Sequence, residues 1–298
     1  MNIELRHLRY FIAVAEELHF GRAATRLNIS QPPLSQQIRQ LEEAIDARLF
    51  ARNNRRVELT PAGKQFLSDA RAILAQVAQA SERASRLHYG DSGELRLGFT
   101  SSAPLIKKIS EAVYRYRLTY PDVHLHMQEM NSRQLLLPLQ EGRIDLAIMR
   151  NTALPDDLQY RLLQKESMYA VVHKDHRLAG QRQVSIRQLR DEPFVFFDHQ
   201  GGTALYSEIL GLLLRNQITP NITLEVEDAV AILGLVATGL GVSILPASFR
   251  RAKLSEVVWL ELSEADARTE VWMVWSAQRQ TTATLQHMLD LMSPVNGL

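Results

Sequence analysis

Phe20-Gly-Arg-Ala-Ala-Thr-Arg-Leu-Asn-Ile-Ser-Gln-Pro-Pro-Leu-Ser-Gln-Gln-Ile-Arg-Gln-Leu-Glu-Glu-Ala-Ile45 decides how the start of this chain folds. The stretch predicts two short helices joined by a tight turn. Leu34, Ile38, Leu41 and Ile45 recur at four, three and four residues, the spacing of one buried helix stripe. Ser30 suits an N-cap, and Gln31, Pro32 and Pro33 fill the first turn, where a missing N–H costs no intrahelical bond. The opposite face carries Ser35, Gln36, Arg39 and Gln40. Gln and Arg are the side chains that pair bidentately with adenine and guanine edges in the major groove. Ala23 and Ala24 allow close helix approach, and Asn28 tolerates the left-handed turn that ends a helix. The pattern is a helix-turn-helix and points to DNA. A merely solvated helical hairpin shares the periodicity, so the flanking sequence has to separate the two.

Downstream, Asn53-Asn54 is turn chemistry between two short extended pieces, with Arg52, Arg55 and Arg56 crowded around it. A two-stranded wing there would set arginines on phosphates or in the minor groove, where a plain basic loop would only be solvated. Thr60-Pro61 then opens a long helix. Phe66, Ala70, Ile73, Val77, Ala80, Ala84 and Leu87 follow at 4, 3, 4, 3, 4, 3, an unbroken heptad seam with no glycine or proline before Gly90. About 28 residues span roughly 40 Å at 1.5 Å each. Such a seam calls for a partner, either its own domain or a second copy. A second copy is the expectation, since it supplies the paired reading heads that half-site recognition requires.

Gly90-Asp91-Ser92-Gly93 reads as a hinge, beyond which strands and helices alternate. Strands are predicted at 94–99, 123–129, 146–149, 169–173, 194–197, 222–226, 242–245, 257–262 and 271–275. Helices are predicted at 104–119, 133–141, 186–190, 203–216, 229–238, 246–250 and 282–292. Such alternation implies mainly parallel sheets covered on both faces, and enough chain for two small ones.

The bulk numbers agree with this division. At 298 residues, 46% hydrophobic and 22% charged, the chain has material for two or three compact units. Its net charge of +1 is unevenly spread: residues 1–90 hold 13 Lys/Arg and 9 Asp/Glu, the remainder 21 and 24. A basic end beside a mildly acidic remainder suits a phosphate-binding module joined to something that does not bind DNA. With no cysteine there is no disulfide, thiolate metal site or thiol catalysis. No signal-peptide core and no run of about 18 apolar residues is present, so the expected location is the cytoplasm.

Taken together, these residues resemble the LysR-type transcriptional regulators. The likeness lies in Leu5-Arg-His-Leu-Arg-Tyr-Phe-Ile-Ala-Val-Ala-Glu16, in Phe20-Gly-Arg-Ala-Ala24 with Ser30-Gln-Pro-Pro-Leu-Ser-Gln-Gln-Ile38, and in Leu49-Phe-Ala-Arg52 with Leu59-Thr-Pro-Ala-Gly63. Later phrases fall in the same order: Tyr120-Pro-Asp-Val123, Gly142-Arg-Ile-Asp-Leu-Ala147, His173-Lys-Asp-His-Arg-Leu-Ala179 and Gly239-Leu-Gly-Val-Ser-Ile-Leu-Pro246. The resemblance spans the chain, and its first 65 residues are the most specific. It implies an α/β protein with an all-α-type N-terminal unit: a winged helix-turn-helix over 1–60 and a linker helix over 61–90 that dimerises antiparallel. An effector domain like a periplasmic binding protein would cover 91–298, with subdomain I at about 91–165 and 269–298 and subdomain II at about 166–268. It further implies a homotetramer built as a dimer of dimers, in which a small molecule between the subdomains alters tetramer shape and DNA bending.

On that resemblance the DNA contacts are expected at Ser30, Gln31, Pro33, Ser35, Gln36, Arg39, Arg52, Arg55 and Arg56. For the effector, ligands of open α/β sheets sit at the carboxyl ends of strands. Thr100-Ser101-Ser102 ends the first predicted strand and opens a helix; Asn131-Ser132 and Arg150 end the next two; Gly202-Thr203 opens a helix in the other subdomain. Positions matching Ser101, Ser102, Ser132, Arg150, Gly202 and Thr203 line the family's effector cleft. Each alone is equally well a cap or a turn. Converging hydroxyls, helix N-termini and one arginine favour a small carboxylate.

Other classes lack their chemistry. The sequence has no Gly-x-Ser-x-Gly elbow, Gly-x-Gly-x-x-Gly fingerprint or phosphate loop, so no enzyme activity and no cofactor is expected. His173-Lys-Asp-His176 reads as a polar turn after a strand, so no metal is expected. His7 and His19 are expected to shape the first domain. A solute receptor with a mere dimerisation arm is the main alternative, opposed by the Gln36/Arg39 face and the missing export signal.

Overall fold

The computed structural model describes residues 3–53, 56–199 and 203–293, residues 52, 53 and 56 by their backbone only. The expectations placed on Arg55 and Gly202, and on the side chains of Arg52 and Arg56, lie outside the described residues. The chain divides into two compact units, residues 1–86 and 87–298.

The first unit packs α1 (Leu5–Glu17), α2 (Phe20–Arg26) and α3 (Gln31–Ala44) against a hairpin of β1 (Phe50–Asn53) and β2 (Arg56–Leu59) and the start of α4 (Pro61–Tyr89). Phe11, Val14, Ala23, Leu34, Ile38 and Leu41 are fully buried in its core, and the Phe11 ring meets those of Phe50 and Phe66 at 5.3 and 5.2 Å. The His19 Nδ1 caps α2 by accepting from the amides of Gly21 and Arg22, and the His7 Nδ1 accepts from Glu4 N. Both histidines therefore hold helix ends. Asn28 takes φ 56° at the turn. Glu42, nearly buried on α3, accepts the amides of Leu49 and Phe50 at 2.8 and 3.1 Å, tying α3 to the first wing strand. Gly63 is required where α4 crosses that strand, since a Cβ there would lie 2.1 Å from the Leu49 carbonyl oxygen.

The seam of α4 has two environments. Ala70 is fully buried in the first unit's own core, with Phe66 packed against it. Those two positions thus serve intradomain packing, where the sequence assigned the whole stripe to a partner. From Ile73 onward the stripe faces solvent: Ile73, Val77 and Leu87 are 41%, 36% and 60% exposed, and Ala80 and Ala84 are exposed beside them.

In the second unit, β3 (Ser92–Phe99) runs parallel to β4 (Asp122–Glu129) and β5 (Leu146–Arg150). The long β6 (Leu158–His173) and β12 (Arg268–Ser276) pair antiparallel, and β12 is antiparallel to β5 as well. After Ser167, β6 leaves β12 and pairs instead with β10 (Ser243–Pro246) and β11 (Val257–Leu262), both antiparallel. The short β7 (Gln183–Val184) extends β11, while β8 (Pro193–Phe197) and β9 (Asn221–Val226) form a separate parallel pair. Two cores result. One lies around Leu97, Ile109, Tyr116 and Met288, under α5 (Lys107–Thr119) and α9 (Ala283–Met292). The other lies around Val171, Phe194, Leu212 and Ile232, under α7 (Ala204–Arg215) and α8 (Ala229–Ala237).

The expectation of mainly parallel sheets is corrected by this layout. The chain enters the second lobe along β6 and returns along β12, so neighbouring crossing strands must run in opposite directions. The predicted strand 169–173 is only the tail of β6; its earlier part exposes too many polar residues to stand out by hydrophobicity. The predicted helix 104–119 is split, with a 3-10 turn at Ala103–Leu105 and extended Ile106 before α5. The predicted helices 186–190 and 246–250 are 3-10 turns, Ile186–Leu189 and Ala247–Ala252. Helix 133–141 forms only as α6 (Leu136–Glu141).

Candidate functional site

The outer face of α3 is built from residues adjacent in sequence. Leu34, Ile38 and Leu41 are fully buried, which turns Gln36, Arg39 and Gln40 to solvent. Gln40 accepts a hydrogen bond from the Gln37 side chain at 2.8 Å. Among the described residues, Gln36 and Arg39 have no intramolecular side-chain partner, which leaves their donors and acceptors free for another molecule. Ser35 is half-buried; Gln31 and Pro33 are exposed in the first turn.

Ser30 corrects one detail. It sits at the N-cap with extended backbone but makes no side-chain cap hydrogen bond. A cap hydroxyl accepts from the N–H of the second or third helical residue. Here those are Pro32 and Pro33, which have none. Its exposed hydroxyl is unused within the helix. The wing follows the predicted extended pieces, with Arg52 opposite Val57 and Asn53 opposite Arg56 in the β1–β2 register.

The second candidate site is a cleft of about 700 Å³ between the lobes of residues 87–298. Thr100, Ser101, Ser102, Asn131, Ser132, Arg150 and Thr203 all line it, so residues up to about a hundred positions apart are brought together. Thr100 follows β3, and its Oγ1 lies 3.5 Å from Ser102 Oγ. Ser102 and Ser132 are buried. Ser101 and Ser102 adjoin the 3-10 turn and not the start of α5, whose N-cap is Ile106. Asn131 and Gln134 exchange reciprocal backbone–side-chain hydrogen bonds, and Thr203 Oγ1 caps α7 by accepting from Tyr206 N. Those two residues carry turn and cap duties while lining the cleft.

Arg150, the last residue of β5, is 2% exposed. Its Nη1 lies 2.8 Å from Glu166 Oε2, and its Nη2 donates to Ser102 Oγ at 3.1 Å and to Ser248 Oγ at 3.4 Å. Glu166 Oε1 in turn accepts from the amide of Ser248, in the second lobe. Arg150 therefore joins the two lobes as well as lining the cleft. Its Nε has no hydrogen-bond partner among the described residues. Glu166 also borders a second depression of about 570 Å³ with Lys107, Lys165 and Arg251.

Several lining residues were missed by the sequence reading: Glu129, Phe197, Asp198, Leu205, Glu227 and Asp228. The signal was available, because Asp198 directly follows β8, and Glu227 and Asp228 directly follow β9. They follow the same strand-end rule as Thr100, Asn131 and Arg150, whereas Gly202-Thr203 in the second lobe is marked by its helix start. Next to the cleft, Glu208 of α7 is pushed up to about 7 by burial, despite a 2.5 Å hydrogen bond from Thr269 Oγ1 and the nearby Arg150 charge. The His173–His176 segment is a polar turn, as expected. His176 Nε2 and Arg177 converge on Glu192, and their hydrogen bonds outweigh its burial and hold its carboxyl below the usual range.

An exposed helix-turn-helix with a wing, joined to a two-lobed α/β cleft, defines a ligand-responsive DNA-binding regulator. The LysR substrate binding domain matches residues 88–295, and the bacterial regulatory helix-turn-helix protein, lysR family, matches residues 5–64. The chain belongs to the LysR family and is a DNA-binding transcriptional regulator with an effector-binding domain, not an enzyme. It is 58% identical over 275 residues to the HTH-type transcriptional regulator YnfL of Escherichia coli (strain K12), covering 92% of this chain and 93% of that protein. With AlsR of Bacillus subtilis (strain 168) it shares 34% identity over 289 residues, 97% of this chain and 95% of AlsR. The full-length structure of CbnR, a LysR family regulator, complexed with its target DNA aligns with a TM-score of 0.84 at 26% identity, covering 97% of this chain and 98% of CbnR. Among the described residues, no helix is long and apolar enough to cross a membrane.

Proposed function

We propose that α3 reads operator DNA in the major groove, with Gln36 and Arg39 contacting base edges and Ser30, Gln31, Pro33 and Ser35 setting the helix against the backbone. The wing arginines Arg52, Arg55 and Arg56 hold phosphates beside it. The division is 1–60 for DNA, 61–90 for the linker and 91–298 for the effector, with the protein acting in the cytoplasm. The exposed stripe Ile73, Val77, Ala80, Ala84 and Leu87 joins two linker helices, giving the paired heads that half-sites need, and two such dimers make the working tetramer. A small carboxylate bound in the 700 Å³ cleft, against Thr100, Ser101, Ser102, Asn131, Ser132, Arg150 and Thr203, with Gly202 as a further contact, controls the switch.

The observation that carries this reading is the free Gln36/Arg39 face on a helix whose other face is fully buried. DNase footprinting on the region upstream of the protein's own gene tests it. Protection of two half-sites one or more helical turns apart is expected; no protection of any tested DNA would refute it.

A further inference from the structure

The charge lining the cleft is lopsided, and the asymmetry runs across it. The first lobe presents hydroxyls and guanidinium groups: Thr100, Ser102, Ser132, Arg133 and Arg150. The second presents Asp198, Glu227 and Asp228. The first lobe adds Glu129, so four carboxylates face two arginines among the described lining residues. Arg150 is moreover already matched by Glu166 at 2.8 Å. Asp198 already lies 3.4 Å from His199 Nδ1, so a ligand carrying negative charge alone would meet chiefly Glu227 and Asp228 on this side and be repelled by them.

We propose that the effector is a zwitterion of the amino-acid class, its carboxylate toward the first lobe and its ammonium group toward Glu227 and Asp228. The proposal rests on the cleft being the effector site. Two independent features support it. One is Arg150, 2% exposed yet with its Nε unpartnered among the described residues, which offers a donor on the carboxylate side. The other is the carboxylate set at the ends of β8 and β9. Asp198 N donates to Val226 O at 2.9 Å, which brings those two strand ends side by side. Asp228 occupies the N-cap of α8 without a side-chain cap hydrogen bond, so its carboxylate is not consumed by the helix. An ammonium group has three donors and suits several acceptors at once. Bridging oppositely charged lobes with one molecule also gives a reason for closure on binding, because each end of the ligand is satisfied by a different lobe.

Calorimetry on the full-length protein tests this with matched probes: the common α-amino acids, the same carbon skeletons lacking the amino group, and the corresponding amines lacking the carboxylate. At least one amino acid should bind, with its deaminated and decarboxylated counterparts at least tenfold weaker. Glu227→Gln/Asp228→Asn, both exposed positions, should weaken the amino acid at least tenfold and leave any deaminated acid within twofold. An unchanged urea unfolding transition of residues 87–298 checks that this variant is folded. A deaminated acid binding as tightly as its amino acid overturns the zwitterion and keeps the carboxylate effector. An amine binding as tightly overturns the carboxylate end. Binding of Mg²⁺ or Zn²⁺ alone, lost in the same variant, makes the acidic lip a cation site and overturns the proposal. If no probe binds, both the zwitterion and the cleft reading fall.

Discussion

The reading helix and the cleft are built in opposite ways. On α3 the candidate residues Ser30 to Arg39 lie within ten positions, exposed apart from the half-buried Ser35 and almost free of intramolecular partners. In the cleft, Thr100 and Asp228 come from different lobes, and Arg150 is locked into a buried ion pair. The difference teaches where a substitution will register. A change on α3 should alter what is bound without altering stability, whereas a change beside the cleft should move both. Four experiments set that contrast at risk.

The largest effect is expected at Glu166. Glu166→Ala would strand the Arg150 guanidinium in an interior where both side chains are at most 5% exposed. Removing one partner of a buried pair costs about 3–5 kcal/mol, chiefly from the uncompensated charge. The unfolding transition of residues 87–298 should fall accordingly in urea, while that of the first unit stays put. Replacing both partners, as Arg150→Met/Glu166→Met, should recover most of the loss because no charge is left buried. If the double variant is as unstable as the single, packing and not charge governs this position.

Glu208 comes next, through pH. Burial raises its folded-state value from 4.5 to about 7, against hydrogen bonding by Thr269 and the charge of Arg150, while Glu270 adds to the rise. Below pH 4.5 the carboxyl is protonated in both states and has no effect. As pH rises from 4.5 to 7 the unfolded chain releases the proton first, so stability falls, and the full loss is reached above 7. A shift of that size corresponds to up to roughly 3 kcal/mol, less what water screens at this half-buried site. Wild type should therefore lose more stability between pH 5 and pH 8 than Glu208→Gln. Equal slopes in urea titrations of the two proteins would remove Glu208 from the account.

These two residues also mark what the sequence could not disclose. The helix-turn-helix was legible because its signals are local: a 3.6-residue period, a turn Asn28 and prolines in a first turn. The cleft was half legible, since hydroxyls and Arg150 at strand ends obey a positional rule that needs only strand boundaries. Asp198, Glu227 and Asp228 obey the same rule at the ends of β8 and β9, but as acidic residues they carry no hydroxyl or glycine signal like that of Gly202-Thr203. Glu166 and Glu208 had no such signal. Glu166 lies mid-strand in a stretch of alternating charged and polar residues, and only the crossing of β6 with β12 brings it against Arg150. The antiparallel crossing itself was hidden for the same reason, because chain direction between lobes is a property of the return path and not of any single segment.

On the reading helix, Arg39→Ala should lower discrimination by about 1–3 kcal/mol if its guanidinium forks onto a base. Measured on operator and on random DNA at fixed salt, the loss should fall on the operator. An equal loss on both would make Arg39 a phosphate contact. In either case the thermal unfolding of the protein should hardly change, which is the half of the contrast that separates α3 from the cleft.

The smallest effect expected on stability is at Ser30, and it is informative for being small. An ordinary Ser N-cap replaced by Ala costs typically about 1 kcal/mol, because an N–H at the second or third helical residue loses its acceptor. Pro32 and Pro33 hold those places and have no N–H to lose, and no cap hydrogen bond from Ser30 is formed. Ser30→Ala should therefore change unfolding free energy by less than about 0.5 kcal/mol, the range of ordinary surface substitutions. Its hydroxyl is exposed at the end of the helix that carries Gln36 and Arg39, so operator affinity should drop where stability does not. A stability loss near 1 kcal/mol would show that the hydroxyl does cap the helix, and that the chain selected Ser30 for folding and not for binding.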